Sequence, residues 1–363
     1  MTVEISDTIS PAPRDIWQQV HGLDPYALVT QSPAWLDCIC ATGPYSDASR
    51  YYQFIDGVKA VLPLAAQRHM PARLANAASP PHGWGIGGLI SSGELTPEHL
   101  TAIVADLARL PYLRLSVRPN PLSGTIWAAT QHSSALVVPR RAHVIDLSGG
   151  FDVVWSKRYE KSTRTSIRKA ERSGLVVDCD TSSRLVQAFH ELYLSSLERW
   201  GQQQHEPRAL TRWRGLRRDP LAKLQNITRY LAGNSRIYMA WLDGKPIAAT
   251  LLLLGRNAHA TRSVMNKELA GPVRASDLLH NMAIKDACEA GCRHFHMGES
   301  GASVSLARFK RGFGAEEHAY AEYRFELLPL TAADSYLRTI VKRIIGFRDT
   351  TNEEQPGHKE TVT

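Results

Sequence analysis

The stretch 237-IYMAWLDGKPIAATLLLL-254 decides how this chain is read. An apolar strand runs into Asp243-Gly244 and a second apolar strand runs out. Glycine tolerates the positive φ of a tight turn, so Asp-Gly between two apolar runs marks a β-hairpin. The outgoing run, 247-IAATLLLL-254, is the densest apolar segment of the sequence. It is far shorter than the ~20 residues needed to cross a bilayer and reads as a strand.

The same design stands upstream in 51-YYQFIDGVKAVLPLAAQ-67, with Asp56-Gly57 at the turn. The segments downstream of the two hairpins also correspond. The first hairpin leads to 96-TPEHLTAIVADLARLPYLRLSV-117, a helix and strand with Thr96 as N-cap and Pro97 in the first helical position. The second leads to 274-RASDLLHNMAIKDACEAGCRHFHM-297, a helix stopped at Gly291 and then a strand. One α/β unit used twice explains the pattern; two generic units alike by chance is the alternative. The boundary is placed at Ser148-Gly149-Gly150, behind a short strand in 139-PRRAHVIDLSGGFD-152. This gives a first lobe over 1–148, a second over 149–330, and a helix with a polar, disordered tail over 331–363.

The chain of 363 residues carries a net charge of +8 with a pI near 9.3, which suits a polyanionic or phosphorylated partner. Five scattered cysteines make no disulfide framework, and the N-terminus lacks the features of a signal peptide. A cytoplasmic protein is expected. No phosphate-binding P-loop and no Gly-x-Ser-x-Gly motif occurs, and 83-GWGIGG-88 is read as a turn-rich loop.

Two basic segments stand out. Read as one helix ending near Gly174, 155-WSKRYEKSTRTSIRKAERSGLVVD-178 sets Lys157, Lys161, Arg164, Arg168 and Arg172 within an arc of roughly 80°. A stripe of like charge adds nothing to helix stability, so it is either a solvated face or a phosphate site. In 199-RWGQQQHEPRALTRWRGLRRDPLAKLQNITRY-230, arginines alternate with Trp200 and Trp213, a mixture that suits phosphates, bases or sugars. The cluster 288-CEAGCRHFHMGES-300 offers Cys288, Cys292, His294 and His296, but helix and strand hold the pairs apart and no metal site is expected. Glu299, at the end of that strand, is the better candidate; it could act on an incoming amine or pair with Arg308 or Lys310. In 305-SLARFKRGFGAEEH-318, Lys310 beside Phe309 is either a solvated helix-end charge or a fixed cation for a developing anion.

The ordered runs RYEKSTRTSIRKAERSGLVV, FHELYLSSLERWG, IYMAWLDGKPIAATLLLL, RASDLLHNMAIKDACEAGCRHFHMGES and ARFKRGFGA together resemble the Fem-type transferases of the GNAT N-acyltransferase superfamily. The likeness covers residues 150 to 326 well. In the first half, 30-TQSPAWLDCI-39 and the YYQFIDGVKAVLPL hairpin look like a degenerate first lobe. The resemblance implies an α/β fold of two tandem GNAT-like lobes, each a mixed central sheet flanked by helices. It also implies transfer of an amino acid from aminoacyl-tRNA to an amine on a cell-wall precursor or natural-product intermediate. Lys310 would steady the oxyanion and Glu299 assist; Phe309, Arg308, Lys161, Arg164 and Arg168 would hold the donor end; Arg199, Tyr193 and Trp200 would meet the acceptor. No metal and no cofactor beyond the co-substrate is implied, and no stable protein partner.

The chain lacks the inserted coiled-coil arm of longer relatives. It also lacks a Gln/Arg-x-x-Gly-x-Gly/Ala loop for a CoA pyrophosphate, which favours a tRNA donor over acyl-CoA. A non-catalytic RNA-binding module is the alternative from another class. The terminal segment 336-YLRTIVKRIIGFR-348 has one apolar side with cations nearby. It is expected to pack on its own lobe, with peripheral membrane contact as the alternative.

Overall fold

Strands Ser235–Leu242 and Lys245–Leu253 form the hairpin read from the sequence, with Asp243 (φ 49°) and Gly244 (φ 74°) in the turn. Their apolar runs are unbroken because both faces are covered, and the two-residue period sorts the side chains. Ile237, Met239, Ala249, Leu251 and Leu253 pack with Phe189, Leu192 and Leu197 of the Val186–Gln203 helix. Tyr238, Ala240, Ala248 and Leu252 pack with Leu279, Ala283 and Ile284 of the Ala275–Glu289 helix on the other face.

This computed structural model describes residues 3–130, 134–301 and 303–347. Around the hairpin grows an eleven-stranded mixed sheet. In spatial order its strands are Val176–Asp180, Ser235–Leu242, Lys245–Leu253, Ala258–Met265, His294–Glu299, Leu136–Asp146, Glu316–Glu326, Arg114–Val117, Asn76–Ser79, Ala65–Gln67 and Tyr45–Asp47. The strand read as short spans eleven residues, Leu136–Asp146, and is hydrogen-bonded to His294–Glu299 on one side and Glu316–Glu326 on the other. The sheet is therefore continuous across position 148.

The first hairpin also forms, as Arg50–Phe54 and Lys59–Leu62, but it lies in a separate four-stranded sheet with Ile5–Ile9 and Ile90–Ser91. Pro63 follows Lys59–Leu62 at once. It has no N–H to give, so Lys59–Leu62 and Ala65–Gln67 end up in different sheets. The two units thus match in sequence order and differ in sheet pairing. Thr96 and Pro97 begin the Pro97–Leu107 helix as expected, and that helix covers Tyr52, Phe54, Leu115 and Val117.

The structure corrects two expectations. The basic segment is not one helix. A turn over Val154–Arg158 ends at Tyr159, whose ψ of 134° breaks the helix, and a new helix runs Lys161–Glu171. Lys157 is therefore off the stripe. The C-terminal helix, Leu330–Ile344, buries none of its residues, so it does not pack on its lobe through its apolar side. The polar tail after Phe347 lies outside the described residues. Among the described residues no helix is long and apolar enough to cross a membrane.

Candidate active site

Ala258–Met265 and His294–Glu299 run parallel, but they pair only at Ala258 with Phe295 and at His259 with His296. Beyond those residues a cavity of about 720 Å³ lies between them, lined by Ala260–Met265 on one side and Met297–Glu299 on the other. Gly83, Gly85, Ile86 and Arg118 from the first half complete its wall. Among the described residues, Arg118, Arg199, Arg262, Lys267 and Lys310 line it against the single carboxylate of Glu299, so the cavity favours an anionic ligand.

The Val304–Gly312 helix delivers Phe309 and Lys310 to this wall. Ser303 caps the helix by accepting from the Leu306 N–H. Lys310 is 5% exposed, and its Nζ donates to the carbonyls of Gly298 at 2.9 Å and Glu299 at 2.8 Å. Burial pulls its pKa down to about 8, with the Glu299 charge opposing. Phe309 is half-buried and meets His280 edge-on at 5.1 Å and Phe313 at 5.2 Å. The glycines behind the pair are spacers. A Cβ on Gly312 would lie 2.4 Å from Thr163 Oγ1, and one on Gly314 (φ 76°) would lie 2.8 Å from the Arg158 carbonyl. The Glu160 N–H donates to the Gly312 carbonyl, which seats the start of the Lys161–Glu171 helix against the Phe309-Lys310 helix.

Glu299 pairs with neither Arg308 nor the Lys310 charge through its carboxylate. Tyr320 donates to its Oε1 at 2.6 Å, and Arg140 stands 3.5 Å from Oε2. Arg140 is itself held by Glu322 at 2.6 Å, together with Arg118 and Arg324. Burial works to raise the Glu322 pKa, but the three guanidinium groups outweigh it and bring it to about 2. His259 and His280 also line the cavity, and burial lowers both to about 4, so both are neutral. His280 Nδ1 donates to the Ser276 carbonyl at 2.8 Å, which fixes its tautomer.

Residues 157–311 match the acetyltransferase (GNAT) domain family. The chain has a GNAT-like fold. The crystal structure of FemX superposes with a TM-score of 0.63 at 11% identity, covering 93% of this chain and all of that one. L-PGS from Bacillus licheniformis superposes at 0.51 with 13% identity, covering 93% and 98%. A conserved protein of unknown function from Bacteroides thetaiotaomicron gives 0.54 with 10% identity, covering 87% and 99%. At such identities the likeness is one of fold, and it extends the tandem GNAT-like architecture over both halves. No curated protein matches the chain in sequence.

Within this GNAT-fold protein the residues singled out from sequence separate into groups. Lys310, Phe309, Glu299, Arg199 and Trp200 come together around the cavity. Arg199 Nη1 donates to the Met265 carbonyl at 2.7 Å, and its guanidinium lies 5.9 Å from the Trp200 ring. Tyr193 does not reach the cavity; it is buried and donates to the Gly215 carbonyl. Arg308, Lys161 and Arg168 are exposed outside the cavity, with Arg168 6.0 Å from the Trp155 ring. Arg164 turns inward and donates to the carbonyls of Trp155, Ser156 and Tyr159, closing the turn before its own helix. Cys292 donates to the Gly255 carbonyl and His294 contacts Asn257. Among the described residues no His/Cys/Asp/Glu group is arranged to hold a metal.

Sequence reasoning missed the 83–86 loop, Arg118, Arg262 and the two histidines. The loop has Gly-x-Gly-x-x-Gly spacing, but the strand Ile90–Ser91 follows it directly and not a helix, so it is no dinucleotide fingerprint. Positive φ at Gly83, Gly85 and Gly88 bends it onto the second half, where Lys223 Nζ donates to the Gly83 carbonyl at 2.7 Å. Lys223 and Arg262 share the buried carboxylate of Asp219, at 2.7 and 2.6 Å. The glycines were the available signal; their target was 140 residues away.

Proposed function

We propose that the chain moves an aminoacyl group from aminoacyl-tRNA to the amine of a small-molecule or cell-wall-precursor acceptor. The observation that carries this reading is Lys310, a buried ammonium with two protons on carbonyls and a third left for the cavity it lines. In ester aminolysis the acceptor nitrogen adds to the ester carbonyl carbon and the carbonyl oxygen takes negative charge. The bond to the ribose oxygen then breaks, and the proton lost by nitrogen ends on the departing ribose hydroxyl. The third Lys310 proton is assigned to the oxyanion, where a fixed donor contributes roughly 3–4 kcal/mol. Glu299, oriented by Tyr320 and Arg140, is assigned to the proton that leaves nitrogen. Phe309 is assigned to the terminal base or ribose, Lys161, Arg168 and Arg308 to flanking phosphates, and Arg199 with Trp200 to the acceptor.

A tRNA donor is favoured over acyl-CoA by the connection from the Ala258–Met265 strand to the Ala275–Glu289 helix. It holds Gly271 as its one glycine, and Asp277 already places a carboxylate in the first turn of that helix. A helix N-terminus occupied by its own anion is a poor cradle for a pyrophosphate.

The test gives the purified chain charged tRNA or acetyl-CoA with the same panel of amines. Discharge of aminoacyl-tRNA that depends on the amine and drops about 10²–10³-fold in Lys310→Met is the expected result. Consumption of acetyl-CoA, with tRNA left charged, overturns the donor assignment and leaves the GNAT fold untouched.

A further inference from the structure

The Leu330–Ile344 helix is pinned at its base and bare along its length. Asp334 pairs with Arg114 at 2.9 Å, and Thr331 is held by Glu326 and Arg324, at the ends of the sheet strands Arg114–Val117 and Glu316–Glu326. Every residue from Tyr336 to Ile344 is exposed. Exposure is 58% at Leu337, 46% at Val341 and 77% at Ile344, a large apolar area for an otherwise well-buried chain.

At about 100° per residue, Leu337, Ile340, Val341 and Ile344 fall within an arc of roughly 100°. Arg338 lies about 60° beyond one border of that arc and Arg343 about 60° beyond the other. The helix's single acid, Asp334, is already paired. An apolar strip flanked on both sides by cations fits a surface that is apolar within and anionic at its rim. Long Arg and Lys stems reach such a rim while the strip is buried.

We propose that this helix lies in the interface of an anionic lipid bilayer and docks the enzyme there. Among the described residues nothing covers the strip, and residues 348–363 (RDTTNEEQPGHKETVT) contain no apolar run. A second copy fits poorly, because helix on helix would bring Arg338 and Arg343 against like charges with no unpaired carboxylate on either helix between them. The exposed Leu327 and Leu328 at the helix base extend the apolar surface toward the anchoring strand.

Flotation of the full chain tests this, using vesicles of equal parts phosphatidylglycerol and phosphatidylcholine against phosphatidylcholine alone. Wild type is expected to float with the anionic vesicles only. The double variants Leu337→Ser/Ile344→Ser and Arg338→Gln/Arg343→Gln should each lower the bound fraction about tenfold without moving the melting temperature, since all four side chains are exposed. Three results overturn the proposal. One is wild type left unbound by anionic vesicles. Another is undiminished flotation of the serine pair, which is the behaviour of any basic protein. The third is a concentration-dependent dimer that the serine pair dissociates, which assigns the face to a second copy.

Discussion

Lys310 combines two properties that usually conflict, a charge and a buried place. The carbonyls of Gly298 and Glu299 replace part of its lost hydration, and burial still lowers its pKa to about 8 from the ordinary 10.5. The consequences have opposite signs for rate and stability. A role at an oxyanion needs the ammonium, so turnover falls by about tenfold per pH unit above roughly pH 8. Stability rises from about pH 8 to 10.5, because the unfolded chain there keeps a proton that the folded one has released. Single-turnover rates on one acceptor across about pH 6.5 to 9.5 measure the first effect. In Lys310→Arg the descending limb should leave this range, and a limb that stays near pH 8 assigns it to another group.

At the scale of elements, the basic segment shows what periodicity can and cannot carry. The five cations do recur at helical spacing, but Tyr159 breaks the helix and divides them by task. Arg164 spends its guanidinium on the carbonyls of the turn at Trp155, Ser156 and Tyr159, whereas Lys161 and Arg168 stay exposed. Arg164→Met should therefore cost about 1.5–3 kcal/mol of stability, the worth of charged hydrogen bonds to partly buried carbonyls, and leave unchanged the salt dependence of binding to the proposed tRNA donor. Lys161→Ala and Arg168→Ala should leave the melting temperature alone and each lower the slope of log affinity against log salt by about 0.7–0.9. Equal losses of tRNA affinity in all three variants would return Arg164 to the phosphate stripe. The same break gives Gly312 and Gly314 their purpose, because the start of the Lys161–Glu171 helix rests on them.

At the scale of the molecule, the legible parts were those fixed by neighbours in sequence. Both hairpins, the Thr96-Pro97 helix start and the strand leading to Glu299 follow from turn chemistry and period. The grouping of Lys310, Phe309, Glu299, Arg199 and Trp200 followed largely from resemblance and chemical type. Pairing partners were not legible, because the long-range register of Leu136–Asp146 with two second-half strands leaves no local mark. Nor was the shared core: Trp35 and Ile39 join one cluster with Leu224 and Ile227, nearly two hundred residues on. That cluster and that strand argue against two separable lobes. Residues 149–363 alone would leave His294–Glu299 and Glu316–Glu326 without the strand between them and uncover Leu224 and Ile227. This fragment is expected to aggregate or melt without a cooperative transition, because open sheet edges and bare apolar surface associate. Co-expression with residues 1–148 should restore a single transition at the temperature of the intact chain. A soluble 149–363 fragment with its own sharp melt would show that the second lobe carries its fold unaided, and that the first serves only to wall the cavity through Gly83, Gly85 and Arg118.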